Sequence, residues 1–196
     1  MSSQAKPAET SARKQEILQT AIEIIAEQGY AKLSMRALAR ASDMKLGAFQ
    51  YHFPRWRDLL SELTAHIVQE YLRAFEELEA GSEPLGLRET VEFLLDDAPG
   101  AALHMDKLIP QLWAMAKVEP VMEELLNEIY GEYHRRLEKL LKRAGSPKPR
   151  VEAIALMSWI EGTVPFVGRG GRWGRDAKAV HDFILDYIDS NYGDQS

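Results

Sequence analysis

The 196-residue chain has no cysteine. That excludes disulfides, a thiolate nucleophile and cysteine-ligated zinc or iron–sulfur centres, and it suits a reducing compartment. Long hydrophobic runs are missing as well. Ala153 to Met157, a run that none exceeds, falls far short of the roughly 20 residues that a membrane span needs, so no membrane association is expected. The opening stretch MSSQAKPAETSARKQE has neither an apolar core nor a cleavage-like small-residue site, so no secretory signal is expected and the protein is placed in the cytoplasm. Catalytic signatures are equally scarce. The five histidines, at 52, 66, 104, 134 and 181, have no metal-ligand spacing, and neither HExxH nor a glycine-flanked nucleophilic serine occurs. His104 with Asp106 comes nearest to an acid–base pair, in a stretch that reads as surface or loop. Gly168 to Gly174, GRGGRWG, resembles a phosphate loop only in composition: it follows a helix and lacks GK[ST]. No catalytic residue, metal or cofactor is expected, and the chain is not read as an enzyme.

What the chain does have is an ordinary soluble balance, 45% hydrophobic and 28% charged residues, with a net charge of −6. The charge is unevenly placed. Residues 1–60 carry nine Lys or Arg against six Asp or Glu, net +3, whereas residues 61–196 carry fifteen against twenty-four, net −9. A basic N-terminal module above an acidic body is compatible with DNA binding, because phosphate contacts respond to local charge.

Hydrophobic periodicity gives helices throughout. Residues 1–10 read as a disordered tail. A first helix follows from Ser11 or Ala12 to Gln28, with Ile17, Ala21, Ile24 and Ile25 on one face, ended by Gly29 as a left-handed cap. A long helix runs from about Trp56 to Ala80, and others over Leu87–Asp96, His104–Lys117, Pro120–Ala144, Arg150–Val164 and Asp176–Tyr192. In the last of these Val180, Phe183, Ile184, Tyr187 and Ile188 form one face. The fold class is all-α with about nine helices.

Between the first helix and the long one lies SMRALARASDMKLGAFQYHF, residues 34–53. Ser34 can cap a helix whose Met35, Leu38 and Ala39 face inward. Asp43 stands where a tight turn wants a left-handed residue, and Phe49 and Phe53 anchor a second helix at i, i+4. Opposite these anchors Gly47, Ala48 and Tyr51 point outward, flanked by Gln50 and His52. Gln pairs bidentately with adenine in the major groove, and Ala48 or Tyr51 can lie against a thymine methyl. The expected division is a tail over 1–10, a helix-turn-helix DNA-binding domain over 11–56, and a helical effector-binding and dimerisation domain over 57–196.

These residues, followed by Leu59 ahead of a long helix, resemble the TetR family of one-component transcriptional regulators, over residues 12–60. The resemblance implies a homodimer that reads a palindromic double-stranded DNA operator, pairs its subunits through the last two helices, and leaves the operator when a small-molecule effector binds in the body. Carried over, Ser34 and Arg36 would touch phosphate, Lys45, Gly47, Ala48, Gln50 and Tyr51 would face bases, and His52 would sit at the backbone edge. Three positions depart from the family pattern: Lys45 replaces a usual Ser, Gln50 a usual Tyr, and Trp56 a usual phosphate-gripping Lys, for which Arg55 and Arg57 can substitute.

The body is rich in soft and aromatic side chains. Phe75, Phe93, Met105, Trp113, Met115, Met122, Tyr130, Trp159 and Phe166 are candidate walls for a hydrophobic or aromatic effector, or are simply core. Glu161, centred in an apolar helix, can pair with an arginine such as Arg169. The last helix and the small-residue one before it (Ala153, Ala155, Gly162) can form a four-helix seam between two copies, or pack within one subunit. The leading reading is a ligand-responsive repressor. An all-helical small-molecule-binding protein or enzyme without specific DNA binding is the alternative, and activation needs the same DNA contacts as repression.

Overall fold

The computed structural model describes residues 7–80, 85–96, 105–168 and 171–193, with the side chains of residues 7–10, 74, 78, 79, 105 and 106 left aside. Within them the α-helices are α1 (Pro7–Gln28), α2 (Met35–Ala41), α3 (Leu46–His52), α4 (Trp56–Glu79), α5 (Leu87–Leu95), α6 (Met105–Ala116), α7 (Pro120–Arg143), α8 (Pro149–Val167) and α9 (Ala177–Tyr192). Short 3-10 turns at Tyr30–Lys32 and Gly174–Asp176 precede α2 and α9, and the described residues contain no strand. The all-α expectation holds. No described helix is long and apolar enough to cross a membrane.

Two boundaries differ from the periodicity reading. α1 opens at Pro7, so residues 7–10, read as tail, form its first turn. Proline has the right φ for that place and lacks only an N–H that no helical partner would satisfy. α8 runs on through Pro165 to Val167 instead of ending at Val164. At the end of α1, Gly29 has φ 84° and ψ 156°, positive as expected of a cap but outside the left-handed helical basin.

Packing divides the described residues into two compact units. The first comprises those within Met1–Glu70 and Leu103–Leu126, the second those within Tyr71–Ala102 and Asn127–Ser196. Compactness therefore groups α6 and the first turns of α4 and α7 with the N-terminal helices.

In the first unit, α1 packs on α2 and α6, and α2 on α3. The apolar stripe Ile17, Leu18, Ala21, Ile22, Ile24 and Ile25 is buried, together with Leu38, Phe49, Phe53, Leu59 and Leu63. The Phe49 and Phe53 rings meet at 5.6 Å.

In the second unit, α5, α8 and α9 pack pairwise. α8 turns Ala153, Leu156, Ile160, Thr163 and Val167 inward at alternating spacings of three and four. Its opposite side carries a second apolar stripe: Val151 is 62% exposed, Ile154 51% and Phe166 57%. α9 buries Ile184, Leu185 and Ile188 and leaves Phe183 exposed. The face read as Val180, Phe183, Ile184, Tyr187 and Ile188 is thus split, with only part of it turned to the interior.

Candidate nucleic-acid interface

The turn between α2 and α3 follows from hydrogen bonds that its residues can make. Ser34 adopts an extended backbone, and its Oγ accepts the Ala37 N–H at 3.1 Å, relieving one of the unpaired donors of the first turn. At the other end of α2, Met44 N donates to the Ala39 carbonyl at 2.7 Å and Asp43 N to the Arg40 carbonyl at 3.2 Å. These are the two bonds of a Schellman cap, and Asp43 takes the left-handed conformation they require, with φ 51°. From α1, Arg13 Nη2 donates to the Ser42 carbonyl at 2.5 Å and so holds this corner against the first helix.

Behind α3, Phe49 and Phe53 are fully buried. Lys14 stands 5.4 Å from the Phe53 ring centroid and pairs with Glu62 at 2.6 Å. That contact ties α1 to α4 across the back of the reading helix, with the cation over the ring's negative face. On the outer side Lys45, Gly47, Ala48, Gln50 and Tyr51 are all exposed, Tyr51 by 76%. Gly47, Gln50 and Tyr51 fall at i, i+3, i+4 and so share one face of the helix. Nothing lies within 4 Å of a Cβ built on Gly47.

Cations surround this edge. Arg36, Arg55 and Arg57 are exposed, as is Arg40, which periodicity did not single out. Arg55 Nε lies 3.0 Å from Asp58 Oδ2 and is partly neutralised there; Arg57 stands one residue farther on. His52 is half-buried, with its ring edge-on to Tyr51 at 5.5 Å, and its buried Nδ1 has no hydrogen-bond partner. Burial first, and then the charges of Lys14 and Arg13, push its pKa below the ordinary histidine value of 6.5, so the ring is neutral near pH 7.

Trp56 turns away from the position expected of a phosphate ligand. Its indole N–H donates to Glu119 Oε1 at 3.3 Å, and Tyr30 donates its hydroxyl to the same oxygen at 2.5 Å. Beside them Gln111 Oε1 accepts the Tyr30 N–H at 3.2 Å, and Lys107 pairs with Glu27 at 2.5 Å. Residues of α6 and the α6–α7 corner therefore brace the end of α1, the turn after it and the start of α4, the segments that flank α2 and α3. Local patterns could not indicate Glu119, because its partners lie 63 and 89 residues away.

The effector candidates fall into separate groups. Phe75, Phe93 and Tyr130 belong to the second unit, and Phe75 and Phe93 meet edge-on at 5.6 Å. Trp113, Met115 and Met122 belong to the first unit, where Met115 and Met122 are core. Trp159 and Phe166 are exposed on the outer stripe of α8, 6.4 Å from Phe183 and 6.1 Å from Trp173 respectively, and do not join Phe75 in an interior lining. The Met105 side chain, His104 and Arg169 lie outside what is described.

Residues 17–63 match the family model "Bacterial regulatory proteins, tetR family". An HTH-type transcriptional regulator in the dhlA 5′ region of Xanthobacter autotrophicus is 27% identical over 157 residues, covering 78% of each chain. The nicotine-responsive transcriptional repressor HdnoR of Paenarthrobacter nicotinovorans is 24% identical over 136 residues, covering 67% of this chain and 69% of its own. Among solved structures, a transcriptional regulator from Saccharomonospora viridis in complex with choline superposes with a TM-score of 0.75 at 22% identity, covering 92% of this chain and 97% of that one. Salmonella enterica GusR gives a TM-score of 0.69 at 20% identity, covering 97% and 99%. Over residues 17–63 the chain thus carries a helix-turn-helix of the tetR-family type, with a buried aromatic backing and a solvated reading edge.

Proposed function

We propose that the protein is a repressor that binds a palindromic operator as a homodimer and is released by a small hydrophobic or aromatic effector. The observation that carries the DNA half is the contrast within α3. Phe49 is 0% exposed, whereas Tyr51, two residues on, is 76% exposed next to an exposed Gln50. A solvated aromatic and amide edge among cations suits a partner with base edges and phosphates. Ser34, Arg36, Arg55 and Arg57 then contact phosphate, Lys45, Gly47, Ala48, Gln50 and Tyr51 face bases, and His52 stands at the backbone.

The dimer is supported by the second stripe of α8. A helix that is apolar on both sides needs cover on both, and Val151, Ile154 and Trp159, with Phe183 of α9, stay exposed among the described residues, Trp159 meeting only the Phe183 and Tyr187 rings there. A second copy related by a two-fold axis covers the stripe with itself. Release by a small molecule is supported by the names of the relatives, one nicotine-responsive and one solved with choline.

The test is selection of DNA sequences by the purified protein, with sedimentation of free and bound forms. A palindrome should be enriched and bound by two chains, and Phe183→Glu should give monomers with weakened operator binding. Absence of any enriched palindrome, or an unchanged affinity in Gln50→Ala and Tyr51→Ala, would remove the proposal.

A further inference from the structure

We infer that Glu119 is a positioning residue for operator reading: from the corner between α6 and α7 it holds both ends of the helix-turn-helix and so sets the pose in which α3 meets DNA. The inference rests on the proposed reading of an operator by α3, and it adds a residue that shapes that contact from a distance.

The starting point is the convergence of two donors on one atom. Tyr30 lies four residues ahead of Ser34 and Trp56 three residues after Phe53, so the two bracket residues 34–53. Both reach Glu119 Oε1, Tyr30 with its hydroxyl at 2.5 Å and Trp56 with its indole N–H at 3.3 Å. Gln111 of α6 adds a third bond on the leading side, its Oε1 accepting the Tyr30 N–H at 3.2 Å. That oxygen also lies 3.4 Å from where a Cβ on Gly29 would stand, so α6 sits close against the turn after α1. Tyr30, Trp56, Gln111 and Glu119 are all half-buried, which gives hydrogen bonds to the carboxylate more weight than exposed pairs have. By contrast Lys107 and Glu27, 2.5 Å apart with side chains 39% and 56% exposed, form a pair of little weight.

The interior of the segment is held by other contacts. Phe49 and Phe53 are fully buried, Arg13 donates to the Ser42 carbonyl, and Lys14 reaches Glu62. These fasten α2 and α3 to α1 and α4 without Glu119. Loss of its carboxylate therefore leaves the segment folded but frees the two places where it joins its neighbours. A looser segment must be ordered again when it docks, and that ordering is subtracted from affinity. Bidentate pairing with a base edge is sensitive to this, because hydrogen bonds weaken steeply with misalignment. No phosphate contact is lost, which separates this role from that of any cation at the edge. The same bonds give Trp56 a function where the family resemblance implies a lysine: the first turn of α4 gives up grip on phosphate and gains anchorage.

The test is fluorescence anisotropy of the full chain on its selected palindrome, at a temperature where melting curves show every variant folded. Glu119→Ala should weaken binding about tenfold, with the salt slope and the base preference unchanged. Glu119→Gln keeps an acceptor oxygen and should recover affinity to within about threefold of the parent. Tyr30→Phe and Trp56→Phe each remove one donor. Each should cost about threefold in the parent and nothing further in Glu119→Ala. Parental affinity in Glu119→Ala, a shallower salt slope in that variant, or a glutamine no better than alanine overturns the inference. So does a loss in Tyr30→Phe and Trp56→Phe that is undiminished in Glu119→Ala. If Glu119→Ala does not fold, parental affinity in both phenylalanine variants overturns it. Gln50→Ala separates this result from the wider proposal. Where it weakens binding and the Glu119 set does not, only the positioning role falls. Where the parent prefers no sequence, the operator reading falls and takes this role with it.

Discussion

Trp56 and Tyr30 share one acceptor, Oε1 of Glu119, at 3.3 and 2.5 Å. The position at which the family resemblance implies a phosphate-gripping lysine here carries a donor turned inward, fastening the start of α4 to the corner between α6 and α7. Two half-buried hydrogen bonds to a carboxylate are individually worth about 1.5–3 kcal/mol. Glu119→Ala should therefore lower unfolding stability by about 2 kcal/mol, and Trp56→Phe by about 1 kcal/mol, in chemical denaturation. A Glu119→Ala protein as stable as the parent would mean that the shared acceptor contributes nothing.

Asp43 holds a backbone conformation that its side chain tolerates at a cost, with φ 51°. Asp43→Gly should gain about 0.5 kcal/mol, and Asp43→Val should lose about 1–2 kcal/mol because a β-branched residue resists the left-handed region more strongly. Both follow from urea unfolding midpoints. A stable valine variant would show that the turn can be made some other way.

The reading edge should separate affinity from stability. Gln50→Ala and Tyr51→Ala remove exposed side chains, so melting should shift by no more than about 0.5 kcal/mol. Loss of a bidentate base contact at Gln50 should cost about 1–3 kcal/mol of operator affinity and relax preference at one base pair. Arg36→Ala should instead weaken all sequences alike and reduce the salt slope of binding by about 0.9, the signature of one lost phosphate contact. An unchanged slope would place Arg36 away from the DNA backbone.

Two groups set opposite limits on the pH range of stability. For His52 the folded pKa lies below the ordinary 6.5, so as pH falls through 6.5 the unfolded chain takes a proton that the folded one refuses, and stability declines. His52→Gln should flatten that acid limb. Tyr30 is pushed up to about 12 from 10, by burial first and then by its hydrogen bond to Glu119. Its contribution is complete below pH 10 and lost as pH rises toward about 12. Tyr192 and Tyr133 are shifted in the same direction, so Tyr30→Phe should remove part of the alkaline limb. Melting curves against pH would show both effects.

The local part of this architecture is legible in the sequence. Ser34 capping α2, Asp43 making the turn and Phe49 with Phe53 anchoring α3 depend on neighbours within a few residues, and each stands as its residue type implies. Less legible are features set by distant partners. Nothing near Trp56 announces Glu119, and nothing near Ser42 announces Arg13. α8 is ambiguous for a different reason. With apolar residues on both sides, periodicity alone does not say which stripe faces inward, so Trp159 and Phe166 looked as suited to an interior wall as to an outer seam. Pro7 escaped because Ser, Ala, Pro and Glu compose disordered tails and helix starts alike.

Gly47 sits in the middle of this balance. A side chain there would meet nothing within 4 Å, so the folded chain gains no room from the bare Cα and forgoes about 0.5–1 kcal/mol of helix stability by keeping it. The beneficiary lies outside the molecule. Gly47→Ala should make a sturdier protein and a poorer regulator, and the gap between those two changes measures how closely the helix backbone must approach its target.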